Sequence, residues 1–292
     1  MAATIIDGKE VARRVRDEVQ KRTAVLVAQG IQPCLAVILV GEDPASISYV
    51  SAKEKALAEA GMASRDFRLP AETTEDELAD YIHTLNLDPS VHGILVQLPL
   101  PKHINEDRII TLIDPAKDVD GFHPVSVGNM VIGKPGFLPC TPNGIIVLLK
   151  ELNIPTKGAH AVVVGRSNIV GKPIASLLTR KEINATLTVC HTGTRDLAFH
   201  TRQADILIAA AGSPQLIKGD MIKEGAVVID VGVNRVENSN AKRGYRLVGD
   251  VDFEAASERA SFITPVPGGV GPMTIAMLLR NVVESAEKCV RS

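Results

Sequence analysis

The fold class this sequence predicts is α/β, in two domains, and three observations predict it. Short apolar runs rich in β-branched residues alternate with helical stretches through most of the chain, as in a mainly parallel sheet. In the second half, four such runs follow one another in regular succession: HAVVVG, TLTVC, DILIAAAG and AVVIDVGV. The chain of 292 residues is also long enough to bury two cores.

Taken in order, a helix is expected over Lys9 to Gln29 and a buried strand over Ala36 to Val40. Asp43-Pro44 then supplies an N-cap residue and a proline at the first helical position, so a helix should run from Ala45 to Ala60 and stop at Gly61. Thr74 and Glu77 form a capping box that opens a helix over Glu75 to Leu85. A strand over Gly93 to Leu98 and a helix over Glu106 to Ile113 complete the first half. The composition changes around PCTPNG, where Thr141-Pro142 reads as a second N-cap and proline pair opening a helix to Leu152. The four strands come next. NRVENSNAKRGYRLV reads as a hairpin, and a last helix is expected over Met273 to Lys288. The domain boundaries are set at residues 1–144, 145–271 and 272–292.

Bulk properties narrow the function classes. A net charge of −2 and only 3% aromatic residues argue against a nucleic-acid surface. The N-terminus becomes charged by Asp7, before any apolar signal core could form, and no apolar run approaches the length of a membrane span. Cys34, Cys140, Cys190 and Cys289 are scattered, without metal-ligand spacing, so no metal is expected and the reduced cytoplasm is the expected compartment.

Tyr49-Val-Ser-Ala-Lys53 places a phenol and an amine at i and i+4, side by side on one helix face. That face continues through Ala56 and Ala60, so it should turn inward, while Lys55 points to solvent. Partial desolvation disfavours an ammonium ion, which is how an enzyme obtains an amine able to trade protons near neutrality. The same pair also arises by chance on surface helices.

HAVVVGRSNIVGKPIASLL has the strand–loop–helix context of a phosphate-binding turn, although it does not match GxGxxG. Gly165 would make the tight turn, Arg166 and Ser167 follow it, and a helix should begin near Gly171. An NAD-binding sheet places Asp or Glu at the end of the next strand to hold the ribose hydroxyls. Here TLTVC runs into His191-Thr192-Gly193-Thr194-Arg195, with hydroxyls and cations, which predicts NADP over NAD.

Three further segments stand at sites of interest. HGILVQLPLP puts Gln97 at the carboxyl end of a strand, KDVDGFHP puts Asp118 and Asp120 in a loop, and TPVPGGVGPMT lets backbone approach a flat ligand. Each also has a plain reading: a buried amide, a turn carboxylate and a flexible connector.

Together YVSAK, GILVQLPLP, KDVDGFHP, PCTPNG, GRSNIVGKP, DVGVN, GDVDF and PVPGGVGPMT, in this order, resemble the bifunctional methylenetetrahydrofolate dehydrogenase/cyclohydrolases across essentially the whole chain. The resemblance implies an N-terminal α/β catalytic domain, a C-terminal Rossmann-like NADP-binding domain, and a last helix returning to the first. It implies an oxidoreductase and hydrolase of one-carbon metabolism serving purine biosynthesis, a homodimer with a small-molecule folate substrate, and a cleft holding folate against nicotinamide. By position, Lys53 would be the general acid/base, Tyr49 would stack on the folate, Gln97 would hydrogen-bond the lysine, and Asp120 would bind the pterin's amino edge. Leu98, Pro267 and Gly268 would join in binding the substrate. Gly165, Arg166, Ser167, Thr192 and Val233 would hold the cofactor; Thr192 stands where many members have serine, which keeps the hydroxyl.

Three rivals remain to be weighed. A short-chain dehydrogenase also uses YxxxK, but after its nucleotide turn, whereas Tyr49 comes long before Gly165. A non-catalytic pterin or NADP sensor would have no need of Lys53, and a dehydrogenase-only member would not need the hydrolytic residues that are present here.

Overall fold

The computed structural model describes residues 2–237 and 244–291. In chain order the elements are β1 (Thr4–Ile5), α1 (Gly8–Ala28), β2 (Cys34–Val40), α2 (Pro44–Glu59), β3 (Ala63–Leu69), α3 (Glu75–Leu87) and β4 (Gly93–Val96). Then come α4 (Glu106–Leu112), α5 (Pro124–Ile132), α6 (Cys140–Glu151), β5 (His160–Val164), α7 (Gly171–Leu178), β6 (Thr186–Cys190), α8 (Leu197–Thr201) and β7 (Ile206–Ala209). The chain closes with β8 (Val227–Asp230), β9 (Asn234–Glu237), β10 (Tyr245–Val248), α9 (Phe253–Ser257), β11 (Phe262–Ile263) and α10 (Val270–Arg291).

The chain divides into two compact units. One comprises residues 13–139 and 275–292, the other residues 1–12 and 140–274. The first twelve residues, placed in the first domain from sequence, therefore cluster with the C-terminal unit. The physical reason is β1, which pairs in parallel with β11.

In the first unit, a three-stranded parallel sheet has the order β3-β2-β4. Every residue of β2 is buried, as its unbroken apolar run requires, and its Ala36, Ile38 and Val40 face Leu78, Ile82, Ile94 and Ile109 across one core. β3, ASRDFRL, went unread in the sequence because it is an edge strand whose three exposed charges interrupt the pattern, although Phe67 and Leu69 pack against the core. The Thr74–Glu77 capping box forms on α3 in both directions. From α10, Asn281 donates to the carbonyls of Val119 (2.8 Å) and Leu138 (3.1 Å), and Ser285 donates to Ala116 (3.1 Å).

In the second unit, six parallel strands run in the order β1-β11-β8-β7-β5-β6, the doubly wound arrangement. Its core is built from Val162, Val164, Leu207, Ala209, Val228 and Ile263. β9 and β10 pair antiparallel, as expected of a hairpin, and residues 238–243 between them lie outside the described residues. The helix at PCTPNG begins at Cys140, so Thr141 is not its N-cap as expected from sequence. Pro142 is tolerated there because first-turn amides have no intrahelical acceptor to lose.

Candidate functional site

In the first unit, the site grows from the carboxyl end of the three-stranded sheet. Asp43 caps α2 by accepting from the Ser46 amide at 2.8 Å, which starts the helix and sets the rotation of every later side chain. That rotation aims Lys53 at the end of β4. There Gln97, whose amide donates to Ile38 O at 2.8 Å, extends the β2–β4 pairing by one residue. Gln97 Nε2 donates to the carbonyl of Leu98 at 2.6 Å, so Oε1 is the atom left to face the lysine. Lys53 Nζ donates to that Oε1 at 3.0 Å. A neutral amide oxygen accepts from an amine whether or not it carries its extra proton, so Gln97 orients Lys53 without the fixed charge of an ion pair.

The face shared by Tyr49 and Lys53 is less enclosed than its alanines suggested. Ala56 and Ala60 are buried, but Lys53 is half-buried and Tyr49 is 51% exposed. Tyr49 sits one turn before Lys53, and its exposed ring does not fill the core. A cavity of about 690 Å³ opens at the same end of the sheet, lined in part by Leu39, Gly41, Ile47 and Arg68.

Asp120 stands on a turn held from several sides. Lys117 Nζ donates to the carbonyls of Leu85, Asn86 and Asp88 at 2.7–2.8 Å, satisfying acceptors at the end of α3. Gly121 closes the turn at φ +74°, where an added Cβ would lie 2.6 Å from Pro139 N. Asp118 is buried and accepts from the amides of Phe122 (3.2 Å) and His123 (2.9 Å). It is a turn carboxylate, and Asp120 is the half-exposed one. In the sequence only the family resemblance singled out Asp120, since the two acids carry the same charge in the same loop.

Burial pushes the Asp118 carboxyl up to about 6, against hydrogen bonds from Ser126 and the two amides. The folded state thus holds the proton more tightly than the unfolded chain. The associated stability is complete below about pH 4 and is lost as pH rises through 6. An Asp118→Asn variant has nothing to titrate there. Its melting temperature, relative to the parent, is expected to climb between pH 4 and 6 in calorimetry. Parallel melting curves across that interval would contradict the assignment.

In the second unit, β5 and β7 are neighbours whose connections leave in opposite directions, which makes their carboxyl ends the ligand crevice of a doubly wound sheet. Gly165 ends β5 with φ +128°, and a Cβ there would lie 2.1 Å from Ala210 O. A Cβ on Gly171, the first residue of α7, would lie 2.4 Å from Gly165 O. The turn is therefore closed backbone on backbone, with Arg166 and Ser167 exposed above it. Ser167 Oγ accepts from the amides of Val170 (3.2 Å) and Gly171 (3.3 Å). At the end of β6, His191 N donates to Thr194 Oγ1 at 2.8 Å, leaving Thr192 and Arg195 exposed at the rim. The acid that follows, Asp196, caps α8 by accepting from Phe199 N at 3.1 Å. A glycine cradle that a Cβ would fill, a helix start, hydroxyls and arginines fit a dinucleotide carrying an extra phosphate. Val233, 48% exposed, follows the end of β8. Pro267 and Gly268 belong to this second unit, in the loop before α10, with Gly268 at φ +110°.

Two residues of this unit drew no attention in the sequence as single positions. Asp230 and Asp250 are buried carboxylates that collect backbone amides from the loops at the carboxyl edge of the sheet. Burial, with the neighbouring Asp250 charge, pushes Asp230 up to about 7 against three amide hydrogen bonds. The one signal available for them was the pair of motifs DVGVN and GDVDF. Among the described residues no group of three or more His, Cys, Asp or Glu could hold a metal ion, no helix is long and apolar enough to cross a membrane, and no disulfide joins the cysteines.

Both halves of the chain match known proteins. Residues 6–120 match the family model for the tetrahydrofolate dehydrogenase/cyclohydrolase catalytic domain, and residues 139–290 match that for its NAD(P)-binding domain. The bifunctional protein FolD of Exiguobacterium sibiricum is 61% identical over 98% of this chain and 100% of its own length. Among solved structures, the bifunctional FolD dehydrogenase/cyclohydrolase of Campylobacter jejuni superposes with a TM-score of 0.94 at 52% identity, covering 98% of this chain and 99% of that one. The Trypanosoma brucei methylenetetrahydrofolate dehydrogenase-cyclohydrolase, solved with NADP and an inhibitor, gives a TM-score of 0.96 at 41% identity over the whole of both chains.

Proposed function

This chain belongs to the tetrahydrofolate dehydrogenase/cyclohydrolase family, and from that premise we propose how its residues divide two reactions between them. The chain oxidises 5,10-methylenetetrahydrofolate to the 5,10-methenyl form with NADP, then hydrolyses the methenyl form to 10-formyltetrahydrofolate. The observation that carries the reading is Lys53 Nζ on Gln97 Oε1 at 3.0 Å beside an open Tyr49, at the carboxyl end of a sheet.

Gly165, Arg166, Ser167 and Thr192 hold NADP by its phosphates, and Val233 lines the nicotinamide pocket. Bound there, the nicotinamide supplies the hydride acceptor. The folate's own nitrogens push electrons toward the departing hydride, so the protein's contribution to this step is alignment. Tyr49 stacks on the pterin, Asp120 accepts from its amino edge, and Leu98 completes the substrate contacts made by this unit.

Hydrolysis asks more of the side chains. Water must lose one proton as it attacks the methenyl carbon, a ring nitrogen must gain one as the C–N bond opens, and the remaining hydroxyl proton leaves to solvent as the formyl C=O forms. Lys53 in its neutral form takes the first proton and returns it to the nitrogen, held in line by Gln97. A dehydrogenase-only enzyme would have no use for that pair, and a sensor none for the lysine. The working form is a homodimer in the cytoplasm, testable by light scattering of the purified chain and by fractionation.

Initial rates of methylenetetrahydrofolate oxidation with NADP and with NAD, side by side, test the cofactor site. A preference for NADP is expected from the Thr192–Arg195 rim. A clear preference for NAD would contradict it.

A further inference from the structure

We propose that Asp250 is the positioning residue that sets the nicotinamide end of the cofactor site, by tying together the loops that follow β7 and β8. The inference rests on the reading of the second unit as the NADP site and adds a residue to it. Asp250 is 0% exposed, in the GDVDF segment after β10. Its Oδ2 accepts from the amides of Ala211 (2.6 Å) and Gly212 (2.9 Å), and its Oδ1 from Ser213 N (2.9 Å) and Asn234 Nδ2 (2.9 Å). Three consecutive amides of one loop thus converge on a single carboxylate.

Each arm ends next to a cofactor-site residue. The 211–213 loop continues directly from Ala210, whose carbonyl closes the turn at Gly165. Asn234 is the immediate neighbour of Val233. Asp250 itself is held by Asp230, which accepts the Asp250 amide at 2.9 Å and the Gly232 amide at 3.0 Å. The space around the pair is closed to side chains: a Cβ on Gly232 would lie 2.2 Å from Asp250 Oδ1, and one on Gly249 would lie 1.7 Å from Asp230 Oδ2. A carboxylate is the side chain this node requires, because both its oxygens accept. The isosteric amide would turn one of them into a donor pointed at two donors.

The two activities supply an internal control, since hydrolysis of the methenyl substrate needs no nucleotide. Asp250→Asn in the full chain is expected to raise the NADP KM at least tenfold and to weaken NADP binding in titration calorimetry to match. Cyclohydrolase turnover should stay within about twofold of the parent. Asn234→Ala cuts the arm to Val233, together with a longer contact from Asn234 Nδ2 to Val248 O (3.4 Å), and keeps the three amides of the 211–213 loop on Asp250. It should show the same split at a smaller size, about threefold, and it decides the question if Asp250→Asn does not fold. Unchanged NADP parameters in the folded variant, or parallel loss of both activities, would overturn the proposal. A parent chain without NADP-dependent oxidation would instead refute the underlying reading, before any variant is made.

Discussion

Replacing Lys53 by methionine is expected to lower methenyltetrahydrofolate hydrolysis by about a thousandfold, the middle of the range for a positioned general acid/base. Affinity for NADP should not change. Methionine keeps the unbranched stem and helix propensity of lysine, so α2 loses little, and Lys53 is half-buried, so no large cavity opens. What disappears is the group that moves the proton, together with its bond to Gln97 Oε1. The readout is decay of the methenyl substrate in the absence of nucleotide, alongside calorimetric titration with NADP. Normal hydrolysis by the variant would remove Lys53 from the mechanism. Loss of NADP binding as well would show damage beyond the site.

Adding one methyl group at Gly165 should do the reverse. A Cβ there meets the Ala210 carbonyl oxygen at 2.1 Å, and φ +128° is a conformation open essentially to glycine alone. The clash is with backbone, so relief requires β5's exit or the 210–213 loop to move, which opens the phosphate turn. Gly165→Ala is expected to lower dehydrogenase kcat/KM for NADP by about a hundredfold, equivalent to roughly 2.7 kcal/mol. Hydrolysis of added methenyl substrate should continue. An unchanged KM for NADP would mean that this turn does not carry the cofactor.

These two substitutions separate the reactions because they lie in different units of the chain, and that separation was partly visible in the sequence. β2, β5, β7 and β8 announced themselves because strands covered on both faces are continuously apolar. The caps at Asp43 and Thr74 were readable because they are local. β1 and β11 were not, because each has only two residues and its pairing partner lies far away in sequence. Helix α5, PVSVGNMVI, falls in a stretch to which no element was assigned from sequence.

The site divides in the same way. Tyr49 and Lys53 share a helix face, so spacing alone could pair them. Gln97 could be placed at a strand end, but its pairing with Lys53 came only from resemblance, and the turn of its amide toward the Leu98 carbonyl decides which atom the lysine meets. The inward packing expected of Tyr49 failed because helical periodicity gives the direction of a side chain, not whether anything lies there. Asp250 was out of reach from sequence for a related reason. Its four donors come from one loop and the first residue of β9, separated from it by as many as 39 residues, and no local pattern encodes a convergence of that kind.

The most direct test of the whole account is one reaction followed by two signals. The purified chain receives methylenetetrahydrofolate and NADP, and NADPH and 10-formyltetrahydrofolate are measured separately. Both products are expected, with NADPH absent when the nucleotide is withheld and the formyl product still forming from added methenyl substrate. NADPH accompanied by accumulating methenyltetrahydrofolate and no enzymatic acceleration of its hydrolysis would contradict the role given to Lys53, and the absence of both products would contradict the account entirely.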